Sequence, residues 1–163
     1  MKQIQANMTL IAVDDATGEI MGIRVITPTN VHDNYDPSMF KDEKVKKQFT
    51  LLNLIAKEAD FFDRFGVSEA FEFVALAVGR KYRNHRLGTK LMAGAIDLLK
   101  QLGVDNTSYV KSLGSSKYSQ AIFEKLGFET MCELHYEDFV YNGENGFTNI
   151  GEHKKIVAYA LKL

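Results

Sequence analysis

Apolar and β-branched residues first gather in two short runs, "MTLIAVDD" and "EIMGIRVI", on either side of "ATGE". Two such runs around a turn predict an antiparallel hairpin, with Gly18 making the turn. The following "TPTNVHDNYDPSMFKDE" holds both prolines and many turn formers and reads as a long loop. In "EKVKKQFTLLNLIAKEADFFDRFG" the apolar positions Phe49, Leu52, Leu54, Ile55, Ala59, Phe62 and Phe65 recur near helical spacing. That predicts one long amphipathic helix, ended by Gly66.

"AFEFVALAV" has the length, branching and aromatic content of a buried strand. From His85 or Arg86 onward, Leu87, Leu91, Met92, Ala95, Ile96, Leu99 and Leu102 form one apolar helical stripe, with Gly103 to stop it. "TSYVKSL" predicts a further strand and "SSKYSQAIFEKL" a helix ended by Gly127. "FETMCELHYEDFV" and "KKIVAYALKL" predict two closing strands around a Gly/Asn-rich loop. Strands and helices alternate and nothing repeats, so the expected fold class is α/β.

Composition narrows the function. A chain of 163 residues with 45% hydrophobic content can bury one core, so a single domain spanning 1–163 is expected. A net charge of -1 argues against a general polyanion binder. The single cysteine, Cys132, provides no disulfide framework and no Cys-based zinc site, which fits a reducing compartment. No apolar run approaches the roughly 18 residues that span a bilayer, and the N-terminus lacks a secretory core. A cytoplasmic protein with no membrane partner is expected.

Against this neutral background "VGRKYRNHRLGTKLM" concentrates Arg80, Lys81, Arg83, Arg86 and Lys90, with His85 among them. The cluster falls at the predicted strand-to-helix junction, where unpaired amides and the positive helix end favour an anion. Gly88 lets the backbone approach closely, and a pyrophosphate is the natural guest. The other reading of the same charges is a solvated helix face. Apart from Tyr82 the loop has no aromatic platform for nucleic acid, and no nucleic-acid partner is expected. His32, His85, His135 and His153 lack metal spacing, so no metal is expected and all four read as surface residues.

"YRNHRLGTKL" resembles the acetyl-coenzyme A loop of the GCN5-related N-acetyltransferases (GNAT), a pattern of Arg or Gln, two residues, Gly, any residue, then Gly or Ala. Arg83 and Gly88 fit it, while Arg86 stands where the first Gly is usual. "SQAIFEKLGFE" is similar to that family's closing helix and following strand. "SSKYSQAIFEKLGF" and the long helix after the hairpin are most similar to the insect-type arylalkylamine N-acetyltransferases. The resemblance implies a mixed, mostly antiparallel sheet flanked by helices. It also implies acetyl-CoA as cosubstrate and a primary amine such as dopamine, serotonin or tryptamine as acceptor. The cosubstrate would be held by Leu76, Ala77 and Val78 on the strand, by Arg83, Asn84, His85, Arg86, Leu87, Gly88 and Thr89 in the loop, and by Ser115.

Acetyl transfer from a thioester needs a neutral amine, a stabilised carbonyl oxygen and a protonated leaving thiolate. Glu72 shares a strand face with Val74, Leu76 and Val78 and stands six before Val78, where the histone-acetyltransferase branch has its base. The alternative is a strand-entry carboxylate in solvent. The resemblance assigns catalytic roles to Ser115 and Ser119, expected on one helix face, although Ser115 or Ser116 is equally a helix cap. The position where many relatives carry an acidic tyrosine is Phe123 here, which leaves Tyr118, a serine or water. Tyr118 reads equally as a packed core aromatic. The insect-type enzymes begin with a strand and two helices, bearing a catalytic glutamate, before the hairpin, and the resemblance implies that this chain, starting almost at the hairpin, is a shortened form. A shortened, non-catalytic coenzyme A binding domain is therefore the alternative function, and an exposed sheet edge would invite homodimerisation.

Overall fold

The computed structural model describes residues 8–34, 36–102 and 108–163. These divide into two compact units interleaved along the chain. The first takes Met1–Thr29, Glu69–Ser112 and Leu161–Leu163, and the second Asn30–Ser68 and Leu113–Ala160.

In the first unit, β1 (Leu10–Val13) and β2 (Ile20–Asn30) form the expected antiparallel hairpin, with Leu10 opposite Arg24. Its turn is tied by Asp14, whose carboxylate accepts from the amides of Ala16 and Thr17. Strand β2 runs on through Pro28 to Asn30, beyond the expected loop boundary, and the loop begins only afterwards. A proline fits there because it removes one ladder donor without preventing extended backbone. Strand β3 (Glu69–Val78) lies beside β2 and β4 (Tyr109–Gly114) beyond it. A Cβ at Gly22 would stand 2.8 Å from the Ala77 carbonyl oxygen, so only glycine permits the approach of β2 to the end of β3.

Helix α3 (Leu87–Gln101) covers this sheet with the expected stripe, burying Leu91, Met92, Ala95, Ile96 and Leu99. At about 2 kcal/mol for each large apolar side chain withdrawn from water, the stripe is the main force holding helix to sheet. Leu102, expected to continue it, is 56% exposed, because the helix ends at Gln101 and Leu102 is its C-cap rather than part of the stripe. Gly103, expected as the stop, lies outside the described residues.

In the second unit the expected single helix is two: α1 (Glu43–Ala59) and α2 (Phe61–Phe65). The break is at Asp60, whose φ of 47° turns the chain. Gly66, also at positive φ, ends α2 as expected. Asp42 caps α1, accepting from the amides of Lys44 and Val45. Leu51, Ile55 and Ala59 of α1 pack with Tyr136, Phe139, Ile156 and Ala158 in one core. Strands β5 (Glu129–His135) and β8 (Lys155–Lys162) pair antiparallel, as expected, with a short hairpin of β6 (Val140–Tyr141) and β7 (Glu144–Asn145) between them. Helix α4 (Lys117–Lys125) is anchored by Phe123, whose ring stacks on Tyr159 at 4.8 Å and meets Phe128 edge-on. Phe123 is thus a core residue, and its position holds no acid.

Candidate functional site

Strand β3 is not the buried strand that its composition predicts. Ala70 and Phe73 are buried, but Val74, Ala75 and Ala77 are exposed. The cause is the register with β4: parallel pairing covers Phe71, Glu72 and Phe73, opposite Val110, Lys111 and Ser112, while β3 continues to Val78. The buried Ser112 hydroxyl donates to the Phe73 carbonyl at 2.7 Å, at the point where the pairing stops. Beyond it the β3 backbone around Leu76, Ala77 and Val78 has no partner in that register, and such groups can take up an extended ligand.

Glu72 is not a solvent carboxylate, since its side chain is only 15% exposed and Lys111 Nζ lies 3.8 Å away. Nearby, Arg24 is fully buried with its guanidinium 4.2 Å over the Phe73 ring. Burial lowers the Arg24 pKa to about 9, and the charge of Glu72 opposes that fall. Arg24 had no place in the sequence reading. An arginine inside an apolar strand reads as an outward-facing residue until a neighbouring ring and carboxylate are known.

After β3 the chain enters a loop in which Arg80, Lys81, Arg83, Asn84, His85 and Arg86 are all exposed. Asn84 and Arg86 both have positive φ, 67° and 59°. Arg86 therefore adopts the left-handed conformation for which glycine is usual. Alternation of left-handed and ordinary residues turns successive amides toward one concavity that suits an anion. Leu87, Gly88 and Thr89 form the first turn of α3. Asp42 and Ser116 cap α1 and α4, but α3 begins at Arg86 with no side-chain cap. Side-chain hydrogen bonds hold the loop: Arg83 Nε donates to the Val78 carbonyl at 3.2 Å, and Glu19 accepts from Lys81 and the Tyr82 hydroxyl. The first occupies a carbonyl that the sequence reading reserved for the cosubstrate. These features fit a coenzyme A phosphate group: exposed cations, concave backbone and uncapped helix amides.

In the second unit Ser116, not Ser115, caps α4. Ser119 completes a capping box, accepting from the Ser116 amide at 3.2 Å and donating to the Ser116 carbonyl at 2.9 Å. Ser115 precedes the cap, so it does not share a helix face with Ser119. It lines a cavity of about 390 Å³ whose other walls are Gln48, Leu51, Leu52, Tyr136, Phe147, Ile150, His153 and Ile156. The Tyr136 hydroxyl donates to the Ser115 carbonyl at 2.7 Å, and burial pushes its pKa up to about 12. Tyr118 is 61% exposed, not a packed core aromatic, and its hydroxyl donates to Glu152.

His153, expected at the surface, is half-buried in the cavity wall, and its Nδ1 is buried without a hydrogen-bond partner. A basic nitrogen left unpaired in an apolar wall is an unusual expenditure of free energy. Sequence signals gave no hint of it, because the residue lies in an irregular segment with no periodicity.

The acetyltransferase (GNAT) family model matches residues 49–128, from within α1 through β3, the basic loop and α3 to the end of α4. Over this stretch the chain matches the acetyltransferase (GNAT) family. Solved structures agree over nearly its whole length. It is similar to a mosquito arylalkylamine N-acetyltransferase like 5b, with 27% identity, a TM-score of 0.84, and 98% of this chain and 76% of that one covered. Arylalkylamine N-acetyltransferase 2 from Aedes aegypti matches with 25% identity and a TM-score of 0.87 over 98% and 75%. The fold also matches a Drosophila melanogaster polyamine N-acetyltransferase, with 22% identity and a TM-score of 0.79 over 99% and 77%. Among the described residues no helix is long and apolar enough to cross a membrane.

Proposed function

We propose that this acetyltransferase moves an acetyl group from acetyl-CoA to the primary amine of an arylalkylamine such as dopamine, serotonin or tryptamine, by direct transfer in a ternary complex. The observation that carries the acceptor class is the cavity in the second unit. Its walls are mainly aliphatic and aromatic, its polar groups are few, and no carboxylate is among its lining residues. Such a lining suits a flat apolar tail and provides no anion for the second cation of a polyamine. The arylalkylamine enzymes among the similar structures support the same class.

Acetyl-CoA supplies a thioester whose carbonyl is open to attack by an amine and whose thiolate can leave. The chain's residues serve the rest of the reaction. The loop amides, Arg83, Arg86 and the first turn of α3 (Leu87, Gly88, Thr89) bind phosphate, with Asn84 and His85 shaping the concavity. Leu76 and Ala77 offer backbone groups to the pantetheine arm, and Val78 does so once Arg83 Nε leaves its carbonyl. Two groups are proposed as alternative acceptors of the amine proton: Glu72, acting through water, and His153, whose Nδ1 is buried without a hydrogen-bond partner. Ser115, Ser119 and Tyr118 are the hydroxyls proposed to serve the leaving thiolate. Tyr118 must first leave Glu152, and Ser119 its capping box, so Ser115 is the least committed of the three.

The test is release of free thiol from acetyl-CoA with tryptamine, dopamine, tyramine, spermidine and a lysine peptide, beside calorimetric binding of coenzyme A. Amine-dependent release with aryl amines well ahead of spermidine is the expected result. Binding without release would instead identify a non-catalytic coenzyme A binding domain, and absence of binding would overturn the cosubstrate. Glu72→Gln and His153→Gln separate the two proton acceptors, since only loss of the true base removes the rising limb of the pH–rate profile.

A further inference from the structure

We propose that Glu152 and Tyr118 are positioning residues that fasten the wall of the acceptor cavity and keep the His153 ring in it. The inference rests on the cavity being the amine site. Residues 146–154 contribute Phe147, Ile150 and His153 to that cavity, yet they form neither helix nor strand. A segment without a ladder belongs to the least stable part of a fold unless side chains tie it down.

Here the ties converge on one residue. The Glu152 carboxylate forms an ion pair with Lys117 and accepts a hydrogen bond from the Tyr118 hydroxyl. The Tyr118 ring meets the His153 ring edge-on, with centroids 5.8 Å apart. Lys117 and Tyr118 are the first two residues of α4, directly after the Ser116 cap and Ser115. The wall residue His153 and the Glu152 that precedes it are thus both held against the same helix end beside which Ser115 lines the cavity. A group that takes a proton in a transition state must keep its rotamer, and that needs neighbours which hold it.

The chemistry of the tie suits this task. Hydrogen bonds from Lys117 and then Tyr118 hold the Glu152 carboxyl below its usual range, and the charge of His153 acts in the same sense. The carboxylate therefore stays ionised through neutral pH and is lost only in acid. The pair is half-exposed on both sides, so it adds little to global stability. Its effect is on where the wall sits. Tyr118 thereby has a role that does not require it to deliver a proton.

The experiment compares the parent chain with Glu152→Ala, Glu152→Gln, Glu152→Asp and Tyr118→Phe. Glu152→Ala is expected to raise the acceptor KM about fivefold, the scale of one charge-assisted contact. The KM for acetyl-CoA and the melting temperature stay at parent values, and Glu152→Asp restores much of the loss. A second readout needs no turnover: the chemical shift and line width of the His153 ring protons at one fixed pH, which the edge-on Tyr118 ring 5.8 Å away sets through its ring current. Losing the carboxylate that holds the Tyr118 hydroxyl moves and broadens those signals. An unchanged acceptor KM in Glu152→Ala, or unmoved His153 ring signals, overturns the positioning role. If the parent releases no thiol with any amine, the acceptor reading fails, and the His153 ring signals still decide whether the clamp exists.

Discussion

At the scale of single residues, burial decides which groups retain ordinary chemistry. Tyr136 is 7% exposed, and its pKa is pushed up to about 12 by burial. A proton held more tightly in the folded chain than in the unfolded one gives stability that is complete below about pH 10 and lost as pH rises toward 12. Chemical unfolding across that window is expected to show a loss of stability to which Tyr136 contributes roughly 2–3 kcal/mol, and Tyr136→Phe removes that share while buried Tyr159, raised in the same direction, keeps its own. The variant also forgoes its hydrogen bond to the Ser115 carbonyl, a further cost of about 1 kcal/mol at neutral pH. Arg86 makes a different case. Its φ of 59° strains a residue with a Cβ, while its exposed charge stands in the phosphate loop. Arg86→Gly is expected to raise stability by about 1 kcal/mol and to weaken coenzyme A binding, with a shallower salt dependence in titration calorimetry. Unchanged affinity would assign the phosphate contact to the backbone alone.

At the scale of elements, the two ends of the candidate chemistry sit at helix starts built in opposite ways. Helix α4 closes its own amides with the Ser116 and Ser119 capping box, whereas α3 leaves its first turn without a side-chain cap. Ser116→Ala is therefore expected to cost about 1 kcal/mol of stability by denaturant titration. Ser115→Ala changes stability by less than that and acts on the acceptor KM or kcat. If Ser115→Ala proved the more destabilising, the assignment of cap and cavity residue would be reversed. Most of these elements were legible in the sequence: the hairpin, the α3 stripe and both closing strands follow from periodicity that burial enforces. The exceptions have local causes. Asp60 broke a helix whose apolar spacing ran on unbroken, because a left-handed residue leaves no mark on the periodic pattern. Strand β3 was expected to be buried, and its second half is exposed because β4 stops pairing at Ser112.

For the molecule as a whole, the important fact is that neither compact unit is a continuous piece of chain. The apolar face of α1 finds Tyr136, Phe139, Ile156 and Ala158 about a hundred residues away. A fragment ending at Ser112 keeps Leu51, Ile55 and Ala59 but loses every one of those partners. It is expected to lack dispersed amide signals in NMR, while the full chain shows them; a well-dispersed fragment would mean that α1 has another place to bury its face. With a net charge of only -1, the chain brings little overall field to an anionic cosubstrate. Salt dependence of coenzyme A binding thus reports on the basic loop. Homodimerisation through the β1 edge is proposed from its end position in the strand order, and sedimentation tests it.

The sequence by itself determined the fold class, the order of the main elements and the family, because hydrophobic period and the loop motif are local and repeat at short range. It also placed the basic loop correctly at the start of α3. Tertiary structure alone decided that Glu72 faces Lys111, that Arg24 lies buried against Phe73, and that Ser115 and His153 share one cavity wall. Those facts depend on register and on segments far apart in the chain. No spacing within the sequence encodes them.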